Sequence, residues 1–454
     1  MNRNFTIAGI FTKVIYDESD LNHIMIFLAD IKENEVFQKD FFDYCKNLKI
    51  ASWVYIRMKD YCFLDYLSKQ VVSLFEQEFQ KILLQNENRN DAVMPILEAF
   101  VANNIDVIVL KGNVFTQTIY KSIGYKRMND FDILIKKEDW SKIQDIYQKL
   151  NFIPLGFGWT GEKHQATNFS HTGIPYISRN LNCMIGSQWG LKAPTSSYKF
   201  DVNDIWKTAE SYDFKGIKVK KLSAKNNLLH LVLHLGVYKC GVRDCMDIYN
   251  LLLAENIGKE DFNKIFTDAN GLDKAFFALN LCNKMANIPD IAALNLINNQ
   301  KSSLIKSIYK KRIKAIDESQ DWQVSYNDYF QDIEKNVVYF NIFHQFHVKI
   351  KIYFHIIQQI FFPKSAIALK FIEKAHQPTF INRVKAFFVA PFYVLAMLAE
   401  EIGLKATFYI LIKLFFNLVS SPINYFNPKQ NYFDYLEKQG IDPKAVRNLV
   451  NNVQ

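Results

Sequence analysis

Apolar residues in the first hundred positions recur at intervals of three and four, which is the period of an amphipathic helix. The pattern covers residues 22–84, stops at a polar stretch over residues 85–91 (QNENRND), and resumes over residues 92–103. Only 16 Gly and 11 Pro occur among 454 residues, fewer than a turn-rich all-β chain needs. The sequence therefore predicts long helices, with a break at the polar stretch.

The hydrophobic period changes to that of β-strands in the next part of the chain. Residues 106–110 (DVIVL) form a short β-branched run, and residues 130–135 (DFDILI) begin with alternating polar and apolar positions. Two further strands are predicted at residues 174–177 and 181–189, and helices at residues 113–121 and 138–150. Alternating strands and helices indicate a small α/β unit over residues 96–215.

The helical period returns after residue 224 and continues towards the C-terminus. Helices are predicted at residues 226–238 and 244–253, a polar helical connector at 300–331, and aromatic helices over 340–418 with breaks at Pro363, Pro378 and Pro391. The predicted fold class is α+β, with a small mixed sheet embedded in a mostly helical chain. The predicted regions are residues 1–95 (helical), 96–215 (α/β core), 216–334 (helical subdomain) and 335–454 (basic aromatic helices).

Cysteine content and apolar run lengths favour a cytoplasmic protein. Six cysteines in 454 residues are too few for a disulfide scaffold, so they are expected to be reduced and buried. The apolar stretch at residues 5–11 is too short for a signal peptide and is soon followed by Lys13. Because no uncharged apolar run reaches 18 residues, no membrane-spanning helix is predicted.

Positive charge is concentrated towards the C-terminus. Residues 301–454 hold 20 Lys and Arg against 12 Asp and Glu, which accounts for most of the net charge of +9. Residues 335–399 contain eight basic residues and one acid, Glu373, with Phe and Tyr between them. Three interpretations remain open: the region is a helical subdomain with a basic solvated face, it binds an anionic surface at the inner face of the membrane, or it binds nucleic acid. Nucleic acid ranks last because so apolar a region suits lipid better.

Candidate chemistry lies between the first two predicted strands. The first strand ends in Lys111 and Gly112, where glycine permits a tight turn into a helix and lysine offers a charge to a phosphate. Asp130 and Asp132 open the second strand, and their spacing of two places both carboxylates on one face, about 6.5–7 Å apart. Such a pair can hold Mg²⁺ or Mn²⁺ with a bound triphosphate, and Arg127 can contact the same phosphates.

Two other interpretations of these patterns are open. Asp-x-Asp alone is a weak signal, and a strand can carry two solvated aspartates without any metal. His230 and His234 lie one helical turn apart, with Cys240 and Cys245 downstream, which permits a zinc site. Buried, hydrogen-bonded histidines explain the pair better, because the surrounding helix is rich in Leu and Val.

The segment at residues 107–135 resembles the uncharacterised nucleotidyltransferase family of bacteria, a branch of the polymerase-β-like superfamily. The family pattern is Leu-Lys-Gly, a helix ending in Tyr, and Arg-x-x-Asp-h-Asp, where h is apolar. It corresponds to residues 110–112, Tyr120 and residues 127–132 here. Further similarity lies at residues 185–191 (IGSQWGL), 228–234 (LLHLVLH) and 247–252 (DIYNLL), in the N-terminal helices, and around residues 361–363.

The resemblance implies transfer of a nucleotidyl group from an NTP to an unknown acceptor. Asp130 and Asp132 would be the catalytic, metal-binding acids, and Lys111, Gly112 and Arg127 would bind the nucleotide. His234 and Asp247 match the family's substrate-side helices and are candidate acceptor contacts.

The chain departs from the superfamily pattern at one position. The superfamily's third carboxylate matches Gly186, and the family's histidine matches Gln188. Either Glu162, Asp201 or Asp204 replaces the third acid, or the register of the match at Gly186 is off, or activity is impaired. A catalytically silent nucleotide-binding protein and a membrane-surface protein of glycan assembly therefore remain alternatives.

Overall fold

The computed structural model describes residues 3–155, 170–236, 240–255, 257–286, 304–319, 346–361, 379–420, 432–446 and 448. The chain is helical up to residue 102. Its helices are α1 (Arg3–Phe11), α2 (Glu18–Ile31), α3 (Glu35–Asn47), α4 (Ala51–Asp60) and α5 (Lys69–Ala102), with a short helical turn at Leu64–Tyr66. Side chains of Asp17, Asn34 and Ser68 cap α2, α3 and α5 by accepting backbone N–H bonds.

The predicted break at residues 85–91 is wrong, because α5 runs through this stretch without interruption. Asn86 and Arg89 occupy the same stripe of the helix as the buried Ile82 and Val93, at intervals of four, three and four. Both polar side chains are buried and find hydrogen-bond partners in the loop at residues 123–128. The polar stretch is therefore part of the helix face that packs on the core.

Seven strands form one mixed sheet in the order β3-β4-β5-β2-β1-β7-β6. The strands are β1 (Val107–Val109), β2 (Phe131–Ile135), β3 (Phe152–Pro154), β4 (Tyr176–Ser178), β5 (Met184–Gln188), β6 (Glu210–Phe214) and β7 (Ile217–Lys221). β2 pairs with β1 antiparallel and with β5 in parallel, so these three strands, which the sequence predicted, lie side by side. β3, β6 and β7 were not predicted, and β7 extends the sheet beyond the predicted core boundary at residue 215.

The remaining helices surround the sheet and form the C-terminal region. They are α6 (Gly112–Thr118), α7 (Trp140–Lys149), α8 (Val202–Lys207), α9 (Ala224–His234), α10 (Val242–Glu255), α11 (Lys259–Asp268), α12 (Leu272–Ala286), α13 (Leu304–Ser319), α14 (Phe346–Phe361), α15 (Phe380–Ile402), α16 (Leu404–Val419) and α17 (Tyr432–Lys438), with a short helical turn at Lys137–Asp139. The predicted breaks at Pro363 and Pro378 lie outside the described residues. The predicted α+β class is confirmed.

Helix α15 continues through Pro391, so the break predicted there is wrong. A proline inside a helix costs about 3 kcal/mol, because it removes one backbone hydrogen bond and crowds the preceding turn. Tyr393, Val394 and Met397 follow the proline and are all buried. Their packing offsets the local cost and keeps the second half of the helix in line.

A buried ionic network fastens the end of α15 to Lys192, which follows β5, and to Lys274 in α12. Lys274 Nζ lies 2.7 Å from Glu400 Oε1 and 3.0 Å from Glu401 Oε1. Lys192 pairs with the other oxygen of Glu401, and Tyr198 donates to Glu400. Burial acts against ionisation here, yet Lys192 and Lys274 lower the pKa of Glu401. The C-terminal helices are thus held in place at this end by charges that have little access to water.

Candidate functional site

Lys111 and Asp132 form an ion pair at the centre of the sheet. Asp132 lies on β2, and Lys111 lies between the neighbouring strand β1 and helix α6. Lys111 Nζ is 2.5 Å from Asp132 Oδ2, and the two side chains are only partly exposed. Phe131, Ile133 and Ile135 are buried in the core, as the alternation in the sequence predicts. One strand thus anchors itself by its apolar face and presents Asp132 on the other.

The backbone of Lys111 has a φ of +54°, in the left-handed region that side chains rarely adopt. The sequence predicts that Gly112 permits the turn, but the unusual backbone conformation is that of Lys111. Gly112 is needed for a different reason: a Cβ there would lie 2.8 Å from the Tyr125 hydroxyl and 3.1 Å from Met128 Sδ. The glycine therefore allows the loop before Asp130 to pack closely against the start of α6.

Arg89 is a buried cation beside the two aspartates, and the sequence analysis missed it. Its Nη1 donates to the Met128 carbonyl at 2.7 Å, and its Nη2 donates to Asn113 Oδ1 at 3.1 Å. Burial lowers the pKa of Arg89, whereas the charges of Asp130 and Asp132 act in the opposite direction. Arg89 therefore ties α5, α6 and the loop before Asp130 together and supplies positive charge behind both carboxylates.

The polar residues of α5 were detectable from their spacing. Asn86 and Arg89 continue the stripe of apolar residues along α5, which indicates burial despite their polarity. Considered only as a continuous polar stretch, residues 85–91 suggest a loop. Helical periodicity was the signal that could have identified them.

Gly186 lies directly opposite Asp132 in the parallel register of β5 and β2. A Cβ on Gly186 would lie 2.5 Å from Asp132 Oδ1. The position that the resemblance assigns to a third carboxylate is therefore next to the aspartate, as the superfamily pattern requires, but it carries no side chain. Gln188, on the same face of β5, is buried.

Within the described residues, no group of three or more Asp, Glu, His or Cys side chains is placed to hold a metal ion. Asp201 caps α8, and Asp204 is exposed in the same helix. Glu162 lies outside the described residues. Mg²⁺ needs only one or two protein carboxylates when phosphates and water supply its other oxygen ligands, so Asp130 and Asp132 fit an ion that binds together with a nucleotide.

His234 is brought to the site by helix α9. Its Nε2 lies 3.4 Å from Lys111 Nζ, and its ring centroid is 6.1 Å from that of His230. The described residues contain no metal-binding group around these histidines or Cys240 and Cys245, which contradicts the zinc interpretation. His234 therefore belongs to the same cluster as Lys111 and Asp132.

Asp247 is placed differently from His234. It is 3% exposed, it pairs with Lys126, and its Oδ1 accepts from the Tyr120 hydroxyl at 2.9 Å. Burial raises the pKa of Asp247, and Lys126 lowers it. The carboxylate thus secures the loop that leads from α6 to Asp130, and its predicted contact with an acceptor stays a prediction.

Arg127 is exposed and lines a pocket separate from the Lys111–Asp132 pair. Its neighbours there are the side chains of Lys46, Lys49 and Arg243, and Arg243 Nη1 donates to the Arg127 carbonyl at 3.0 Å. The structure therefore brings Lys111, Asp132 and His234 together, and Asp130 lies two positions before Asp132 in the chain. Arg127 lies among other cations instead.

The mixed sheet, with a Lys-Gly turn after one strand and two aspartates opening the next, defines a nucleotidyltransferase-type domain. The model of the family described as "Uncharacterised nucleotidyltransferase" matches residues 34–287, more than half of the chain. The chain belongs to this family. No curated protein matches the chain. The match ends before the C-terminal helices, so the resemblance around residues 361–363 stays a prediction.

Proposed function

We propose that the protein transfers a nucleotidyl group from an NTP to an acceptor, with Mg²⁺ or Mn²⁺ bound by Asp130 and Asp132. The observation that carries the proposal is the 2.5 Å contact between Lys111 Nζ and Asp132 Oδ2. A phosphate-binding cation and a metal-binding acid, 21 positions apart in sequence, meet at one point on adjacent strands. Family membership supports nucleotidyl transfer in general, and the ion, the NTP and the acceptor are our proposals.

In the proposed reaction, an oxygen of the acceptor attacks the α-phosphorus of the NTP. A new P–O bond forms, the bond to the β-phosphate breaks, pyrophosphate leaves, and the acceptor hydroxyl gives its proton to solvent water. Mg²⁺, when bound, neutralises charge on the triphosphate. Lys111 exchanges Asp132 for a phosphate oxygen, because a charged hydrogen bond to the incoming phosphate replaces the one that it makes to the carboxylate.

Positioning is the main contribution of the other residues. Arg89 fixes the loop before Asp130 by its bond to the Met128 carbonyl, and Asp247 fixes the same loop through Lys126. His234, 3.4 Å from Lys111, is our candidate for contacting the acceptor hydroxyl. With Gly186 in place of a third acid, the attacking hydroxyl lacks a carboxylate base at that position, so we expect slow turnover.

Label position distinguishes nucleotidyl transfer from phosphoryl transfer. The full chain is incubated with a cell-extract fraction, Mg²⁺, and each NTP labelled at either the α- or the γ-phosphate. We expect α-label in an acceptor and γ-label in pyrophosphate, and Asp132→Asn should abolish both. Incorporation of γ-label would instead indicate phosphoryl transfer and contradict the proposal.

A second candidate function is peripheral binding to an anionic membrane, and the exposed apolar faces of α15 and α16 favour it. The exposed residues recur at helical intervals: Phe380, Val384, Phe387, Phe388 and Phe392 in α15, and Leu404, Phe408, Ile412, Phe415, Phe416 and Val419 in α16. Lys385 and Lys405 are exposed among them. Apolar faces flanked by lysines are typical of helices that lie in a membrane interface.

The length and composition of one helix also permit a second arrangement, in which that helix crosses the membrane. Among the described residues, one helix, Phe380–Ile402, is long and apolar enough to cross a membrane, although the sequence predicts none. Its C-terminal end forms ion pairs with Lys192 and Lys274. Tyr393 accepts a hydrogen bond from Lys311 at 2.5 Å. We therefore propose a surface position at the inner face of the membrane of a cytoplasmic protein, which sedimentation with anionic liposomes tests.

A further inference from the structure

A basic pocket lies next to the proposed catalytic site. Four cationic side chains line it, together with one acid and one amide: Lys46, Lys49, Arg127, Arg243, Glu78 and Asn129. They come from α3, the turn after it, α5, the loop before β2, and α10, so the fold gathers them from four distant parts of the sequence. Like charges collected from so many segments are costly unless an anion binds between them.

The acids near the pocket do not balance its positive charge. Glu78 Oε2 lies 3.7 Å from Lys81, on the same helix, which shares its negative charge. Asp244 Oδ2 accepts from the backbone N–H of Gly241 at 2.9 Å, at the start of its own helix. Against these two carboxylates the pocket presents four cations, so it keeps an excess of positive charge.

The cations also act on one another. Partial burial lowers the pKa of Lys49, the charges of Arg243 and Arg127 lower it further, and the charge of Asp244 acts in the opposite direction. Arg243 is held beside Arg127 by its hydrogen bond to the Arg127 carbonyl, at 3.0 Å. A bound anion would relieve this repulsion, because each cation would then face an opposite charge.

The pocket adjoins the metal-binding acids through the chain itself. Asn129 lines the pocket, and the next residue is Asp130. Consecutive Cα atoms lie about 3.8 Å apart, so a ligand in the pocket lies within a few ångströms of the loop that carries the first aspartate. Lys111 and Gly112 do not line the pocket, which makes it a second candidate phosphate site rather than a part of the first.

We infer that this pocket binds a phosphate group of a substrate, held by Lys46, Lys49 and the two arginines. The identity of that group rests on the proposed function, because it belongs either to the acceptor or to the polyphosphate of the NTP. Guanidinium groups bind phosphate oxygens with paired hydrogen bonds, and lysines add point charges, which matches the composition of the pocket. If the group belongs to the acceptor, the acceptor is an anionic, phosphorylated molecule rather than a neutral one.

Direct binding to the full chain tests the inference without any need for turnover. Inorganic phosphate and tripolyphosphate are titrated without Mg²⁺ into the wild type, Lys49→Gln, and the pair Lys46→Gln with Lys49→Gln. Lys264→Gln is the matched control. Lys264 is exposed on α11, so its substitution removes the same charge at a position outside the pocket. We expect the pocket variants to bind phosphate on the order of tenfold more weakly and the control to change less than about twofold.

A parallel titration with Mg·ATP separates the two sources of phosphate. If the pocket variants lose affinity for phosphate but keep their affinity for Mg·ATP, the pocket serves the acceptor. If both affinities fall, the pocket serves the NTP. Equal phosphate affinity in pocket and control variants, or no phosphate binding by the wild type, would overturn the inference. Should Asp132→Asn retain Mg·ATP affinity while the pocket variants lose phosphate, the proposed function fails and the pocket stands.

Discussion

Gly186 lies opposite Asp132 across two parallel strands, so close that a Cβ on the glycine would be 2.5 Å from Asp132 Oδ1. The space that a side chain would fill at this position is thus taken by the Asp132 carboxylate itself. Two consequences follow. The proposed metal site contains two acids within the described part of the chain, and the orientation of Asp132 depends on residue 186 having no side chain.

Gly186→Ala should weaken Mg·NTP binding on the order of tenfold, because the new Cβ forces Asp132 Oδ1 away from its present position. Gly190→Ala is the matched control, since a Cβ there meets its nearest neighbours at 3.5 Å, an ordinary contact distance. Calorimetric titration of Mg·ATP into both variants measures the difference. Equal affinities would show that the orientation of Asp132 does not matter for the nucleotide.

Gly186→Asp should bind Mg·NTP more tightly than Gly186→Ala. Both variants bring the same Cβ against Asp132, but the aspartate adds a third carboxylate oxygen donor beside the first two. Comparison of the two variants in the same titration cancels the steric effect. If the aspartate variant binds no better than the alanine variant, position 186 is not part of the metal site.

Arg89→Met should reduce the free energy of unfolding by about 3 kcal/mol, because it leaves Asn113 and the Met128 carbonyl without their buried donor. Arg179→Gln is the control. Arg179 is exposed and binds Gln439 at the surface, so its loss should change stability by less than about 0.5 kcal/mol. Urea unfolding followed by circular dichroism measures both, and similar values for the two variants would refute the role of Arg89.

Asp247→Asn should destabilise the fold by about 3–5 kcal/mol, because it leaves the largely buried Lys126 without its counter-charge. Combining it with Lys126→Met should restore part of the loss, since the unpaired charge is then gone as well. Unfolding of the two single variants and the double variant forms a thermodynamic cycle. If Asp247→Asn leaves stability unchanged but weakens acceptor use, Asp247 contacts the acceptor instead.

Phe388→Ser combined with Phe392→Ser should reduce binding to anionic liposomes at least about tenfold, because the two phenylalanines are 66% and 69% exposed and each contributes insertion energy. Raising salt to about 0.5 M should weaken the binding of the wild type by screening Lys385 and Lys405. Substitutions are preferred to truncation, which would leave Lys192 and Lys274 without their glutamates.

The control for the liposome experiment is Phe37→Ser, which removes a phenylalanine that is 57% exposed from the N-terminal helix α3. We expect this variant to sediment with anionic liposomes like the wild type. Wild-type protein that remains in the supernatant at low salt would exclude the membrane surface. Equal losses in the Phe37 and Phe388/Phe392 variants would show that the binding is not specific to α15.

Several parts of the fold followed from local patterns. The alternation at residues 130–135 predicted both the strand and the buried face of Phe131, Ile133 and Ile135. The resemblance matches Gly186 to the superfamily's third acid, and the register that places Gly186 opposite Asp132 agrees with that match. These features depend on residues close in sequence or on a motif with fixed spacing.

The sequence did not predict features that depend on distant partners. Helical spacing can place Arg89 on the buried face of α5, but only the tertiary structure shows that Asn113 and the Met128 carbonyl are its partners. The sequences of β6 and β7 are polar, so they do not show the apolar pattern of a strand. Glu210–Phe214 pairs at the sheet edge and exposes most of its side chains. Glu400 and Glu401 end a helix of apolar residues, and only tertiary structure places Lys192 and Lys274 against them.

The central claim is that Asp130 and Asp132 bind an NTP together with Mg²⁺. Its most direct test is calorimetric titration of each NTP, with and without Mg²⁺, into the wild type, Asp130→Asn and Asp132→Asn. We predict that at least one NTP binds the wild type only with Mg²⁺, and that both variants lose this binding while they keep the wild-type circular dichroism spectrum. Binding that is independent of Mg²⁺, or unchanged in both variants, would contradict the claim.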